Sequence, residues 1–327
     1  MKPPLVILDG HTTTPLEVGQ HDPAQPDWAA LEDLTALRVY PRTQPGEIVE
    51  RARDYELVLT NKVVLDRKTL RQLPDLRYIG IMSTGTNVVD LETAAEQGIT
   101  VTYVPAYSTP SVAQHTIALL LEIATHLRAH ADLVRTGAWS SQPDFTVSAG
   151  PVLELERKRF GMLGCGAIGQ ATARIAEALG MEILVHSRSV REVDFRARWV
   201  GEEELLGQSD VLSLHCPLTE ETREWVNRDR LARLREGAIL LNTSRGPLVD
   251  DEAVAEALTS GRLRAYGADV LTTEPPPADH PLLHAPNALI TPHVGWASRE
   301  ARARLISQLA SNVRAYLDGD PIHTVAP

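Results

Sequence analysis

Arg159-Phe160-Gly161-Met162-Leu163-Gly164-Cys165-Gly166-Ala167-Ile168-Gly169 is the most informative run in this chain of 327 residues. Its apolar first half, Arg159–Leu163, reads as a strand, and the amphipathic stretch near 168–180 reads as the helix that follows. Between them stands a Gly-x-Gly-x-x-Gly pattern, in the strand-to-helix setting that a dinucleotide-binding fingerprint requires. There the first two glycines permit a tight turn and close approach of backbone to a pyrophosphate, and the third lets helix pack on strand. The free N–H groups and dipole of the helix N-terminus attract the anion. Glycines alone also mark ordinary turns. Strand, motif, helix and a second strand at Glu182–His186 together assign Gly164, Gly166, Ala167, Ile168 and Gly169 to cofactor binding.

The tip of that second strand speaks to the cofactor. A carboxylate about 20 residues beyond the glycines ordinarily takes the ribose 2′-hydroxyl. Here the chain reads Ser187-Arg188-Ser189, with no acid. A carboxylate would repel a 2′-phosphate, whereas hydroxyls and a guanidinium bind one. Ser187 and Arg188 therefore favour NADP over NAD; the alternative is a solvated Arg188 and NAD held by other contacts.

Outward from this motif, apolar runs alternate with helical patterns in two blocks. The first has strand-like runs at 5–8, 57–60, 77–81 and 99–103, with helical patterns near 45–54, 64–73 and 90–97. The second adds 210–215, 238–242, 264–269 and 288–291, with helices near 202–208 and 250–260 and a long amphipathic one at 298–317. Such alternation indicates βαβ units and parallel sheets, so the fold class is α/β with two Rossmann-like domains. Between the blocks, Thr109 is placed as the N-cap and Pro110 at the first position of a helix running to about Gly137. Its apolar residues nearly surround it, which predicts burial between domains or against a second subunit. His115 and His126 on it read as structural. Residues 137–156 carry too many breakers for a regular element.

Composition narrows the class. A hydrophobic fraction of 43% with 23% charged residues is that of a globular protein, and a net charge of -11 argues against nucleic acid or an anionic membrane as partner. Two cysteines are too few for a disulfide framework and lack the spacing of a zinc site, so no metal is expected. The apolar run at 5–8 breaks at Asp9, too short for a signal sequence or a membrane span, which places the protein in the cytoplasm.

Three segments of the second block carry the chemistry: Asn242-Thr243-Ser244-Arg245-Gly246, Asp269-Val270-Leu271 with Glu274-Pro275, and Thr291-Pro292-His293-Val294-Gly295-Trp296. Each follows the carboxyl end of a strand, where open α/β sheets hold their ligands. An arginine can clamp a carboxylate in bidentate fashion. A histidine can give a proton to a carbonyl oxygen as hydride reaches its carbon. A glutamate on the other ring nitrogen fixes the tautomer. Taken singly, Arg245 reads equally well as a surface ion pair, Glu274 as a loop charge and His293 as a capped loop end; their joint occurrence behind a dinucleotide motif favours catalysis.

Over nearly its whole length the chain resembles the D-2-hydroxyacid dehydrogenase family. The resemblance implies that Arg245 binds substrate, His293 is the general acid/base and Glu274 is its partner. It also places Asp269 near the nicotinamide, and Thr243, His215, Cys216 and Pro217 along the cofactor cleft. A glycine-containing loop, here Ser83, Thr84 and Gly85, would hold the substrate carboxylate through its N–H groups. The implied architecture is discontinuous: a flavodoxin-like substrate domain from 1–103 and 298–327, and an NAD(P)-binding domain over 104–297, with the active site in the cleft between them. Members are usually dimers built on the cofactor domain. Segments 83–90, 111–115 and 293–298 are most similar to the glycerate dehydrogenase and hydroxypyruvate (glyoxylate) reductase branch, and Trp296 with the Ser83 loop points to small 2-keto acids. The missing acid at Ser187 departs from the NAD-using pattern. A rival of another class is a cofactor-sensing interaction protein like the corepressors of the same fold; it would bind partners in a cofactor-dependent way with negligible turnover.

Overall fold

In a computed structural model of the chain, residues 2–13 and 26–325 are described. The apolar run at the N-terminus forms β1 (Pro4–Ile7), whose side chains alternate between two cores. Val6 packs on one face with Leu70 and Leu73, while Leu5 and Ile7 pack on the other with Leu305, Leu309 and Val313. Around it assemble β2 (Ala36–Val39), β3 (Leu57–Thr60), β4 (Tyr78–Ile81) and β5 (Thr100–Thr102). The order is β2-β1-β3-β4-β5 with every pairing parallel, the flavodoxin-like doubly wound arrangement. Short helices α1 (Ala29–Glu32), α2 (Ile48–Ala52), α3 (Arg67–Leu70) and α4 (Leu91–Glu96) connect the strands. Asp66 and Asp90 cap α3 and α4 by accepting from Thr69 N and Thr93 N.

The second sheet contains β6 (Arg159–Leu163), β7 (Glu182–His186), β8 (Ala197–Trp199), β9 (Val211–Leu214), β10 (Ala238–Asn242), β11 (Leu263–Ala268) and β12 (Ala288–Ile290). Its order, β12-β11-β10-β9-β6-β7-β8, is again wholly parallel and is the dinucleotide-binding topology with one added strand. On one face α5 (Thr109–Thr125) and α7 (Ala167–Ala178) cover it, Ile117, Leu120 and Ala173 meeting Phe160, Met162 and Leu241. On the other lie α8 (Glu202–Gln208), α9 (Arg228–Arg233) and α10 (Asp251–Thr259). Segment α11 (Pro281–His284) leads into β12.

By compactness the chain divides into Met1–Ser108 with Trp296–Pro327, here unit 1, and Thr109–Gly295, here unit 2. The changeovers stand a few residues from the boundaries at 103/104 and 297/298 read from the sequence. The final helix, α12 (Arg299–Leu317), packs into the core of unit 1.

Three sequence readings are corrected. The helix after Ser108 is interrupted at His126, in the left-handed region at φ 50°, and resumes as α6 (Leu127–Arg135). Thr109 is the first helical residue rather than the cap, and its buried hydroxyl has no hydrogen-bond partner among the described residues. The apolar surround of α5 is absorbed largely by its own unit, with Leu121 left exposed. No helix among the described residues is long and apolar enough to cross a membrane.

Candidate active site

The strand order of unit 2 reverses between β6 and β9, and the glycine loop leaves the sheet at that point. Gly164 has φ +92°, and a Cβ there would sit 2.8 Å from the backbone of His215 and Cys216, so only glycine lets the two strand ends touch. Gly166 caps α7, and no side chain caps that helix. Nothing lies within 4 Å of where a Gly166 Cβ would project, leaving room for a pyrophosphate against the leading N–H groups of α7. Beneath the loop, His215 Nε2 is 2.9 Å from Ser213 Oγ while Nδ1 is shut off from solvent without a partner among the described residues. Burial lowers the His215 pKa to about 4, so the ring is neutral at physiological pH. Burial also raises the thiols of Cys165 and Cys216, the latter to about 11, and both cysteines are free.

At the tip of β7, Ser187 is half-buried and Arg188 exposed. The Arg188 charge is felt at Cys216 and at Glu221, and that of Arg191 at Cys165. Arg188 and Arg191 thus lie within electrostatic reach of the glycine loop and of the turn beside it.

The loops that carry Arg245, Glu274 and His293 follow β10, β11 and β12. After β10, Asn242 Nδ2 donates to Arg245 O at 2.8 Å and Ser244 N donates to Asn242 Oδ1 at 3.1 Å, a local turn that leaves the Arg245 side chain exposed. A Cβ on Gly246 would lie 2.0 Å from the Leu271 carbonyl, so the Arg245 loop lies directly against the loop after β11. There Glu274 Oε1 accepts from Leu271 N at 3.0 Å and Oε2 lies 2.6 Å from His293 Nδ1. Both side chains of that pair are about one-third exposed, at 35% and 32%.

Asp269 is buried at the root of this arrangement. Its Oδ1 accepts from Thr291 Oγ1 at 2.6 Å and Val294 N at 2.9 Å, and Oδ2 accepts from Gly295 N at 2.7 Å. Burial pushes its carboxyl pKa up, but hydrogen bonds from His115, Thr291, Gly295 and Val294 together hold it below the ordinary carboxylate value. Thr243 Oγ1 is 2.7 Å from Thr116 Oγ1. His115 and Ser111, not among the site residues chosen from sequence, both reach these loops. Their signal was a polar pair four positions apart, on one face of a helix whose other face is apolar.

The remaining expected site residues belong to unit 1. Ser83 Oγ donates to Gly85 O at 2.9 Å, Val104 N donates to Ser83 O at 3.1 Å, and Thr84 is exposed. Trp296 is half-buried against the core that includes Tyr107, Ala301 and Leu305.

A glycine loop at the switch point, with an imidazole–carboxylate pair on neighbouring strand ends, defines a dinucleotide-dependent oxidoreductase as the class. Comparison with known proteins narrows it. The family model described as D-isomer specific 2-hydroxyacid dehydrogenase, NAD binding domain, matches residues 117–295. A hydroxypyruvate reductase of Blautia hydrogenotrophica is 42% identical over 326 residues, spanning 98% of this chain and 99% of the relative. A glycerate dehydrogenase of Methylorubrum extorquens is 39% identical, over 86% of this chain and 88% of that one. Among solved structures, an NADPH-dependent glyoxylate/hydroxypyruvate reductase of Sinorhizobium meliloti, in complex with NADP and malonate, superposes with a TM-score of 0.83 at 27% identity, covering 100% of this chain and 97% of its own. The chain belongs to the D-isomer specific 2-hydroxyacid dehydrogenase family, whose members are NAD(P)-dependent enzymes.

Proposed function

We propose that the chain reduces a small 2-keto acid of the hydroxypyruvate or glyoxylate type to the D-2-hydroxy acid, with NADPH preferred over NADH. The observation that carries the reading is the 2.6 Å contact of His293 Nδ1 with Glu274 Oε2, on loops at the carboxyl edge of a dinucleotide-binding sheet. With Nδ1 held by the carboxylate, His293 presents Nε2 to the substrate and gives the proton that turns carbonyl oxygen into hydroxyl. Arg245 clamps the substrate carboxylate, and the exposed guanidinium after β10 suits it to a bidentate contact. In unit 1, the substrate domain of this reading, Ser83, Thr84 and Gly85 are the substrate-binding loop that the family resemblance implies, and Trp296 is the residue assigned to limiting the size of the acid accepted.

A bound NADPH supplies the hydride. The residues that would hold it are Gly164, Gly166, Ala167, Ile168 and Gly169 at the pyrophosphate, Ser187 and Arg188 at the 2′-phosphate, and His215, Cys216, Pro217, Thr243 and Asp269 along the ring-bearing half. Exposed Leu127, Trp139, Phe145 and Val152 beside α6 fit a homodimer contact on this unit. Two free cysteines suit a reducing, cytoplasmic compartment.

His293→Ala should lower turnover by several orders of magnitude with cofactor affinity little changed. Near-normal turnover would remove His293 from the chemistry. Comparing kcat/KM for NADPH and NADH across glyoxylate, hydroxypyruvate, pyruvate and bulkier 2-keto acids tests the substrate and cofactor assignments, and a preference for NADH would sink the latter.

A further inference from the structure

Three polar side chains on the first two turns of α5 have no part in the reaction set out above. Ser111 Oγ donates to Gly295 O at 2.5 Å, His115 Nε2 lies 2.9 Å from Thr291 Oγ1 and 3.3 Å from Asp269 Oδ1, and Thr116 Oγ1 meets Thr243 Oγ1. Positions 111 and 115 stand one turn apart on one helical face, and 116 lies to one side of them. Every one of these contacts ends on a loop that follows β10, β11 or β12.

We infer that Ser111 and His115 are positioning residues, which fix the loop carrying His293 through Gly295, Thr291 and Asp269. The inference rests on the reading of His293 as acid/base. His293 has φ 53°, a left-handed conformation that a non-glycine residue keeps only where its surroundings over-determine it. What determines it here is Asp269, which receives Thr291 Oγ1, Val294 N and Gly295 N on either side of the imidazole. Asp269 is itself oriented by His115, and the loop end is tied by Ser111 to the Gly295 carbonyl. The joint is packed without slack: a Cβ on Gly295 would stand 2.9 Å from Asp269 Oδ2 and 3.3 Å from the His115 ring. Removing either support lets His293 drift, and a displacement near 1 Å from reactive geometry costs about 100-fold in rate.

The test uses the full chain with NADPH and glyoxylate. His115→Ala should lower kcat about 10- to 100-fold with KM for both reactants changed less than about 3-fold. Deuterium at the transferred hydrogen of NADPH should give a larger isotope effect on kcat than in the parent, because hydride and proton transfer become the slow step. His115→Gln, which retains an N–H donor, should recover most of the loss. Ser111→Ala deletes a single oxygen and should lower kcat about 3- to 10-fold; it carries the test alone if His115→Ala fails to fold. Unchanged kcat in Ser111→Ala, or a loss in His115→Ala that appears in KM with no rise in isotope effect, overturns the inference. The His293→Ala control keeps the two readings apart: an active control overturns the acid/base assignment, whereas an inactive control beside fully active Ser111→Ala and His115→Ala overturns only the positioning role.

Discussion

Acid should weaken unit 2 through one identifiable ring. His215 keeps Nδ1 buried without a partner, and its pKa falls to about 4 from the usual 6.5. Between those values the unfolded chain binds a proton that the folded chain refuses, so stability tied to this group is complete above pH 6.5 and is lost as pH falls toward 4. Linkage over that interval gives at most about 2 kcal/mol lost at pH 5 and almost none at pH 7.5. His215→Gln keeps a partner for Ser213 and cannot titrate. Urea unfolding of parent and variant, followed through tryptophan emission, to which buried Trp225 of the same unit contributes, should be compared at pH 7.5 and pH 5. The parent should lose about 2 kcal/mol more than the variant on acidification. All other titrating groups cancel in that double difference. Equal losses would refute the claim that a neutral, desolvated His215 underlies the glycine loop.

Other perturbations act on the loops above it. Glu274→Gln keeps the shape of the His293 contact and removes its charge; since charge-assisted bonds are about twice as strong as neutral ones and this pair is partly exposed, kcat should fall about 5- to 10-fold, measured at saturating substrate. Arg188→Ala should raise KM for NADPH about 10-fold and leave that for NADH within about 2-fold, the exposed guanidinium contributing at the low end of a charged contact. Gly246→Ala forces a methyl against the Leu271 carbonyl, and overpacking of this kind should lower stability by about 1–3 kcal/mol, read as a fall of several degrees in Tm.

The two sheets were legible because their central strands are buried on both faces and so appear as uninterrupted apolar runs, such as Leu57–Thr60 and Ala238–Asn242. The edge strands β2 and β8 were not. Ala36–Val39 and Ala197–Trp199 are short and at most half-buried, so no apolar run marks them. Gly164 was readable because its positive φ and close backbone contact demand glycine, and Gly166 and Gly169 because they stand at the fingerprint's spacing from it. Arg245, Glu274 and His293 were readable because each follows a strand. Ser111 and His115 escaped selection because their partners lie 184 and 176 residues away along the chain, a separation across which spacing carries no signal. The interruption at His126 was hidden for a different reason: neither glycine nor proline marks it.

The Ser111 Oγ–Gly295 O bond joins a residue two positions inside the start of unit 2 to its final residue. The unit therefore begins and ends at one spot, the geometry that lets a folded module be spliced into a loop of another fold without stretching either. Residues 109–295 can be regarded as a cassette whose two ends meet, set within the discontinuous chain of unit 1. A gene fragment encoding only that cassette keeps the glycine loop and the His293–Glu274 pair on one body, which makes it the natural unit for transplanting the proposed chemistry beside a different substrate-binding partner.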